Sequence, residues 1–271
     1  MKAAPTDSNT IDKPTLVVAT FAPDPPSLTT STQTTNTTFN NYADTNQPAN
    51  MRFTTAVALL AGTAVALPTA VDRRQSVGST VNELVSGSCR PITFIFARGS
   101  TEGGNIGGTV GPPTCQGLKS TYGANNVACQ GVGSPYDATL GANVLPEGTT
   151  SAAYGEAQRL FNLANTKCPN TKIVAGGYSQ GAAVMVASVR RLSTTVKNKI
   201  AGVVLYGNTR NAQEGGKIPN FPAEKALTFC NLSDGVCGGG LVVTPGHLTY
   251  AVDVPDAVDY LESRIAAAGG I

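Results

Sequence analysis

The chain has 271 residues, enough for one large domain or two small ones, and its 19 Lys and Arg against 17 Asp and Glu leave a formal net charge of +2. Charge this sparse and balanced argues against nucleic acid or an anionic membrane surface as a partner. Trp is absent and Gly is abundant, 30 in all, which fits an α/β chain with many tight turns and excludes a disordered one.

Residues 1–50 are rich in Thr, Asn, Pro and Ser, contain no Cys and show little hydrophobic periodicity, so they lack the means to build a core. Residues 51–66 are different in kind. They open on Met51-Arg52, continue as about 14 apolar or small residues and close on Ala64-Val65-Ala66, an A-x-A cleavage pattern. The run is too short to span a bilayer comfortably, so it reads as a secretory signal peptide and not as a membrane anchor. Residues 67–74 end in Asp72-Arg73-Arg74, a dibasic processing site, and read as a short propeptide. A signal belongs at the start of a chain. Met51 is therefore expected to be the true start, with residues 1–50 a non-native or disordered extension; N-terminal sequencing of the secreted protein tests this.

Residues 75–271 read as one catalytic domain. The first predicted strand is Ile92–Ala97 (ITFIFA), and behind it comes Arg98-Gly99-Ser100-Thr101-Glu102, where Ser100 offers both a backbone N–H and a hydroxyl. The following GGNIGG invites comparison with a phosphate cradle, but no G-K-[ST] follows and no acidic residue is well placed about 20 residues on, so nucleotide binding is discounted. A helix over 110–122, a strand Val127–Val132 and a helix over 151–167 come next. The strand Lys172–Gly177 then leads into Gly177-Tyr178-Ser179-Gln180-Gly181, a G-x-S-x-G pattern, and a helix over 180–192. A serine between a strand and a helix, with glycines on both sides, is the sequence form of a nucleophile elbow; the competing reading is an ordinary Ser N-cap. Strands Gly202–Tyr206 and Ala226–Cys230 and a last helix over 254–267 complete the series. In that helix Val258, Leu261 and Ile265 share one face and Pro255 sits in the tolerated first turn. Short, continuous apolar strands alternating with helices predict a three-layer α/β/α sandwich around a five-stranded, mainly parallel sheet.

A serine hydroxyl needs a base, and the chain has one histidine, His247, placed after the last strand and before the last helix. The chain order Ser, acid, His then calls for a carboxylate between them. Asp234 fits, since it follows ALTFC and lies inside Cys230-Asn-Leu-Ser-Asp-Gly-Val-Cys237, a loop that a disulfide would tie; the competing reading is an Asp-Gly turn. The oxyanion donors are expected to be the N–H of Gln180, directly after the serine, and Ser100. The six Cys, at 89, 115, 129, 168, 230 and 237, lack zinc-site spacing and read as three disulfides, with fifteen connectivities open. No metal or cofactor is called for.

Residues 83 to 265 resemble the fungal cutinases, secreted serine esterases of α/β-hydrolase type. FIFARGSTE, CQGVGSPYDATLGANVLPEGTTSAA, NTKCPNTKIVAGGYSQGAAV and CNLSDGVCGGGLVVTPGHLTYAVD carry the likeness in collinear order. The resemblance implies a small lidless hydrolase with Ser179 as nucleophile, His247 as base, Asp234 as acid, Ser100 and Gln180 as oxyanion donors, and Asn143 orienting the Ser100 hydroxyl. It also implies bridges Cys89–Cys168 and Cys230–Cys237, leaving Cys115 and Cys129 as a third pair. Two apolar loops resemble crevice rims: Leu140, Val144, Leu145 and Pro146 on one side, Leu241, Val242, Val243 and Leu248 on the other. Such rims suit a cutin or other lipid polyester surface; the bland alternative is core residues of irregular loops. The expected protein is thus an extracellular, monomeric esterase of cutin with no membrane anchor. An acetylxylan esterase is the nearest alternative, and a non-catalytic protein recognised by a host plant a more distant one. Glu147 flanks the crevice where some relatives carry a basic residue, which leaves the surface charge preference open. Asn231-Leu-Ser233 is a glycosylation sequon, expected to be unmodified because a glycan would crowd the acid loop.

Overall fold

The computed structural model describes residues 76–271, so the expectations for residues 1–50, 51–66 and 67–74 lie outside the described residues. The elements run α1 (Glu83–Ser86), β1 (Ile92–Ala97), α2 (Gly111–Tyr122), β2 (Val127–Gly131), α3 (Ser151–Lys167), β3 (Lys172–Tyr178), α4 (Gln180–Val189), α5 (Thr194–Lys199), β4 (Ile200–Tyr206), α6 (Asn211–Glu214), β5 (Ala226–Phe229) and α7 (Val254–Ala267). The five strands form one sheet in the order β2-β1-β3-β4-β5, and every pairing is parallel. Strands β1 to β4 are buried almost along their whole length, which is why their sequences are continuous apolar runs without polar alternation.

Side chains leave the sheet alternately to its two faces. Ile95 and Ala97 of β1 join a core made with α3, α4 and α5, while Phe94 and Phe96 join a second core with α2 and α7. Strand β4 breaks this alternation. Ile200 and Val203 enter the first core, Ala201 and Val204 the second, and the pairing with β3 slips between Ile173 and Val174. The extra residue is a bulge at Ala201–Gly202, and a Cβ on Gly202 would meet Arg264 and Leu261 of α7 at 3.0 and 3.3 Å. Gly202 therefore lets the last helix pack close against the sheet.

Element ends differ from the sequence reading in physically legible ways. Val132 and Cys230 fall just outside β2 and β5, and β4 starts two residues before Gly202, at the bulge. The helix predicted to reach residue 192 stops at Val189, because Ser193 turns extended (φ −62°, ψ 154°) to cap α5 through its hydroxyl. The short helices α1, α5 and α6 were not expected; at four to six residues they carry no readable periodicity.

Candidate active site

The carboxyl ends of β1 and β3, neighbours where the strand order reverses direction, are where an open parallel sheet leaves a crevice. Ser179 stands there between β3 and α4, with φ 54° and ψ −119°, a backbone region that L residues avoid. Its neighbours explain how the turn closes. A Cβ on Gly177 would lie 2.4 Å from the Gly181 carbonyl oxygen, and one on Gly181 only 2.0 Å from the Ala97 carbonyl oxygen. Both positions exclude any side chain. The Ser179 N–H donates to the Tyr206 carbonyl at 2.8 Å, which pins the elbow to β4.

The Ser179 Oγ lies 2.9 Å from Nε2 of His247, and Nδ1 of His247 lies 2.9 Å from Oδ2 of Asp234. All three side chains are buried or nearly so. His247 sits on a 3-10 turn, Pro245–Leu248, a more ordered setting than the loop expected. The other carboxylate oxygen of Asp234, Oδ1, accepts the N–H groups of Val236 (2.8 Å) and Cys237 (3.2 Å), so the turn at Asp234-Gly235 and the carboxylate's bond to the imidazole occur together. Burial alone would push the Asp234 carboxyl up, but hydrogen bonds from Tyr250, His247 and Val236 outweigh it and hold the group below the ordinary carboxylate range.

Ser100, after β1, faces the same crevice. Asn143, on the 3-10 turn Leu140–Val144, donates from Nδ2 to the Ser100 Oγ at 3.0 Å, leaving the hydroxyl proton free to point elsewhere. The Gln180 N–H opens α4 and has no partner one turn earlier. Its side chain is held by donation to the Thr139 carbonyl at 2.7 Å. A serine hydroxyl bonded to an imidazole, an imidazole bonded to a carboxylate, and two converging donors form an arrangement suited to acyl transfer.

The crevice has a volume of about 320 Å³, and Leu140, Leu241, Val243 and Leu248 line it beside Ser179 and His247. Val144, Leu145, Pro146 and Val242 are not part of that lining. The rim residues are exposed and not core: Val144 and Val242 show 74% and 72% of their surface. Glu147, whose place at the crevice flank left the surface charge preference open, is an ion-paired residue. Its carboxylate is paired with both Arg190 and Arg191 at the end of α4, and the hydrogen bond from Arg191, together with the charge of both arginines, keeps its carboxyl below the usual range despite partial burial. The Asn231 side chain is likewise engaged, donating to Thr249 Oγ1 (2.9 Å) and to the Gly246 carbonyl (3.3 Å).

Sequence reasoning passed over several residues at this site. Tyr178, inside the serine motif, donates its hydroxyl to the His247 carbonyl (2.8 Å) and stacks on the imidazole at 5.2 Å. Tyr250, three residues beyond His247, donates to Asp234 Oδ2 at 2.6 Å. Thr209, after β4, joins the crevice lining. The two tyrosines fall in apolar stretches and read as core, so only their spacing from Ser179 and His247 could have marked them. The bridges are Cys89–Cys168, Cys115–Cys129 and Cys230–Cys237, and no cysteine is free among the described residues. Among those residues no helix is long and apolar enough to cross a membrane.

Residues 88–265 match the family model described as Cutinase. The chain is 51% identical over 214 residues to a protein named Probable cutinase 1 of Aspergillus niger, covering 77% of this chain and 82% of that one. It is 47% identical over 229 residues to Cutinase 1 of Fusarium vanettenii, covering 81% and 99%. Among solved structures, Trichoderma reesei cutinase in complex with a phosphonate inhibitor aligns with a TM-score of 0.62 at 32% identity, covering 70% of this chain and 81% of that one.

Proposed function

Since the chain belongs to the cutinase family of ester hydrolases, we propose that it is a secreted serine esterase that cleaves the ester bonds of cutin through an acyl-enzyme. The observation that carries this reading is the Ser179–His247–Asp234 relay, with 2.9 Å at each link, set in a crevice with exposed apolar rims. Ser179 Oγ attacks the ester carbonyl while His247 Nε2 takes its proton, and the Asp234 carboxylate steadies the imidazolium that forms. The oxyanion falls to the N–H of Gln180 and to Ser100, whose hydroxyl proton is freed for the purpose by Asn143. His247 then returns the proton to the leaving alcohol. In the second half, water attacks the acyl-enzyme with His247 again as base, and the fatty acid and free Ser179 are regenerated.

The rims supply the substrate preference. Leu140, Leu241, Val243 and Leu248 expose apolar surface around the serine, and an exposed apolar patch suits acyl chains on a lipid polyester surface better than the short acetyl groups of a hydrated polysaccharide. The decisive comparison is purified mature protein against Ser179→Ala on cutin, p-nitrophenyl butyrate and acetylated xylan. Hydrolysis of the first two that vanishes in the mutant supports the proposal. Acetate release from xylan alone would replace it with an acetylxylan esterase, and activity unchanged in the mutant would remove the mechanism.

A further inference from the structure

Four hydrogen-bond donors converge on the Asp234 carboxylate, and one of them is a side chain with no role in the mechanism above. Oδ1 takes two backbone N–H groups, while Oδ2 takes His247 Nδ1 at 2.9 Å and the Tyr250 hydroxyl at 2.6 Å. The Tyr250 oxygen itself accepts the Asn231 N–H at 3.1 Å. A phenol has a single proton, so with its oxygen occupied by a donor on one side, that proton points at Asp234. The ring has no alternative seat. Tyr250 is wholly buried and stands edge-on to His247, Tyr178 and Tyr206 at 6.1, 6.1 and 6.3 Å. Gly207, at φ +53°, leaves the space it needs, since a Cβ there would come within 2.7 Å of the Tyr250 ring.

We propose that Tyr250 is a positioning residue for the esterase reaction: its hydroxyl holds Asp234 Oδ2 and thereby sets how readily His247 accepts the serine proton. The proposal rests on the roles given above to Ser179, His247 and Asp234. Its physical basis is competition for one oxygen. The positive end of the phenol dipole draws charge from Oδ2, so the carboxylate stabilises the imidazolium less than an unshared carboxylate would. It also stops the carboxylate rotating away from the imidazole. The ionisable groups around the phenol are Asp234, His247, Tyr178, Tyr206 and, at the start of α7, Asp253. Burial raises all three tyrosines, with Tyr178 pushed up to about 12, so they stay neutral donors throughout the working range. Asp253 is raised by its own burial and by Asp256.

The test uses two replacements of opposite sign in the full-length protein, Tyr250→Phe and 3-fluorotyrosine encoded at position 250, which keeps the ring and hydroxyl and makes the hydroxyl a stronger donor. The readouts are the pH profile of kcat/KM on p-nitrophenyl butyrate and the ring-nitrogen signals of the chain's single histidine. For Tyr250→Phe, the acid limb and the histidine titration should both move up by about half to one pH unit, with kcat carrying the loss and KM little changed. Fluorotyrosine should move both down. In an Asp234→Ala background neither replacement should alter the rate further. A loss of equal size at every pH, shifts of the same sign for both replacements, or an undiminished effect without Asp234 would overturn the proposal. If the phenylalanine variant does not fold, the fluorotyrosine arm decides by its direction. Residual hydrolysis in Ser179→Ala, by contrast, would strike the underlying esterase reading and not this one.

Discussion

Removing either of two disulfides should separate stability from activity, and in opposite proportions. Cys89–Cys168 spans 79 residues and Cys230–Cys237 only 7. In the chain-entropy account, these loops correspond to about 4.5 and about 2.4 kcal/mol of stabilisation respectively. For a domain of this size, that translates into a fall in Tm of roughly 9–18 °C for the long loop and roughly 5–10 °C for the short one. Activity should follow the reverse order. Cys89 precedes β1 and Cys168 precedes β3, so that bridge lies at the amino ends of the strands, away from Ser179. Cys230 and Cys237 bracket Asp234, and the Cys237 N–H is one of the donors that fix the carboxylate. Loosening that loop by even an ångström should cost on the order of tenfold to a hundredfold in kcat/KM. The assay is thermal unfolding beside p-nitrophenyl butyrate kinetics at 25 °C for Cys89→Ala/Cys168→Ala and Cys230→Ala/Cys237→Ala. The reasoning is refuted if the short-loop variant retains full kcat/KM, or if the long-loop variant, while still folded, loses as much activity as the short-loop one.

Gly181→Ala should prevent folding or reduce stability by more than about 4 kcal/mol, as judged by soluble yield and urea unfolding, because its Cβ would sit 2.0 Å from the Ala97 carbonyl oxygen. Asn143→Ala should lower kcat roughly tenfold with little change in KM, and Ser100→Ala by about a hundredfold or more; adding Asn143→Ala to Ser100→Ala should do nothing further, since Asn143 acts through that hydroxyl. Stability should depend on pH in acid. Asp234 and Glu147 both have carboxyls lowered on folding, so their contribution is complete above the unfolded values near pH 4 and is lost as pH falls through the folded ones. Glu147→Gln should accordingly flatten the acid side of the stability profile measured by urea unfolding, and a slope identical to that of the parent would contradict the ion pairing at the end of α4.

The sheet was legible because buried parallel strands are continuous apolar runs. Ile92–Ala97 and the helix over 151–167 occupy the residues expected of them. Ser179 was legible for a different reason: the clash that forbids a side chain at Gly177 and Gly181 leaves its mark as a sequence motif. His247 was fixed by being the sole candidate. The bulge at Ala201–Gly202 left no such mark, because one inserted residue in an apolar strand looks like any other. Tyr178 and Tyr250 were hidden in the same way, as aromatic residues whose rings belong to the core and whose hydroxyls belong to the site. The pairing of Glu147 was not legible because its partners, Arg190 and Arg191, lie more than forty residues away, and an ion pair across that distance has no local signature.

The central claim is that Ser179, activated by His247, carries the acyl group during turnover. It is tested most directly by rapid acid quench of the protein with p-nitrophenyl butyrate, followed by peptide mass spectrometry. One butyryl group should appear on the peptide containing Ser179, and it should be absent in Ser179→Ala and strongly reduced in His247→Ala. An acyl group found on another residue, or full turnover with no acylated serine at any quench time, would contradict the account.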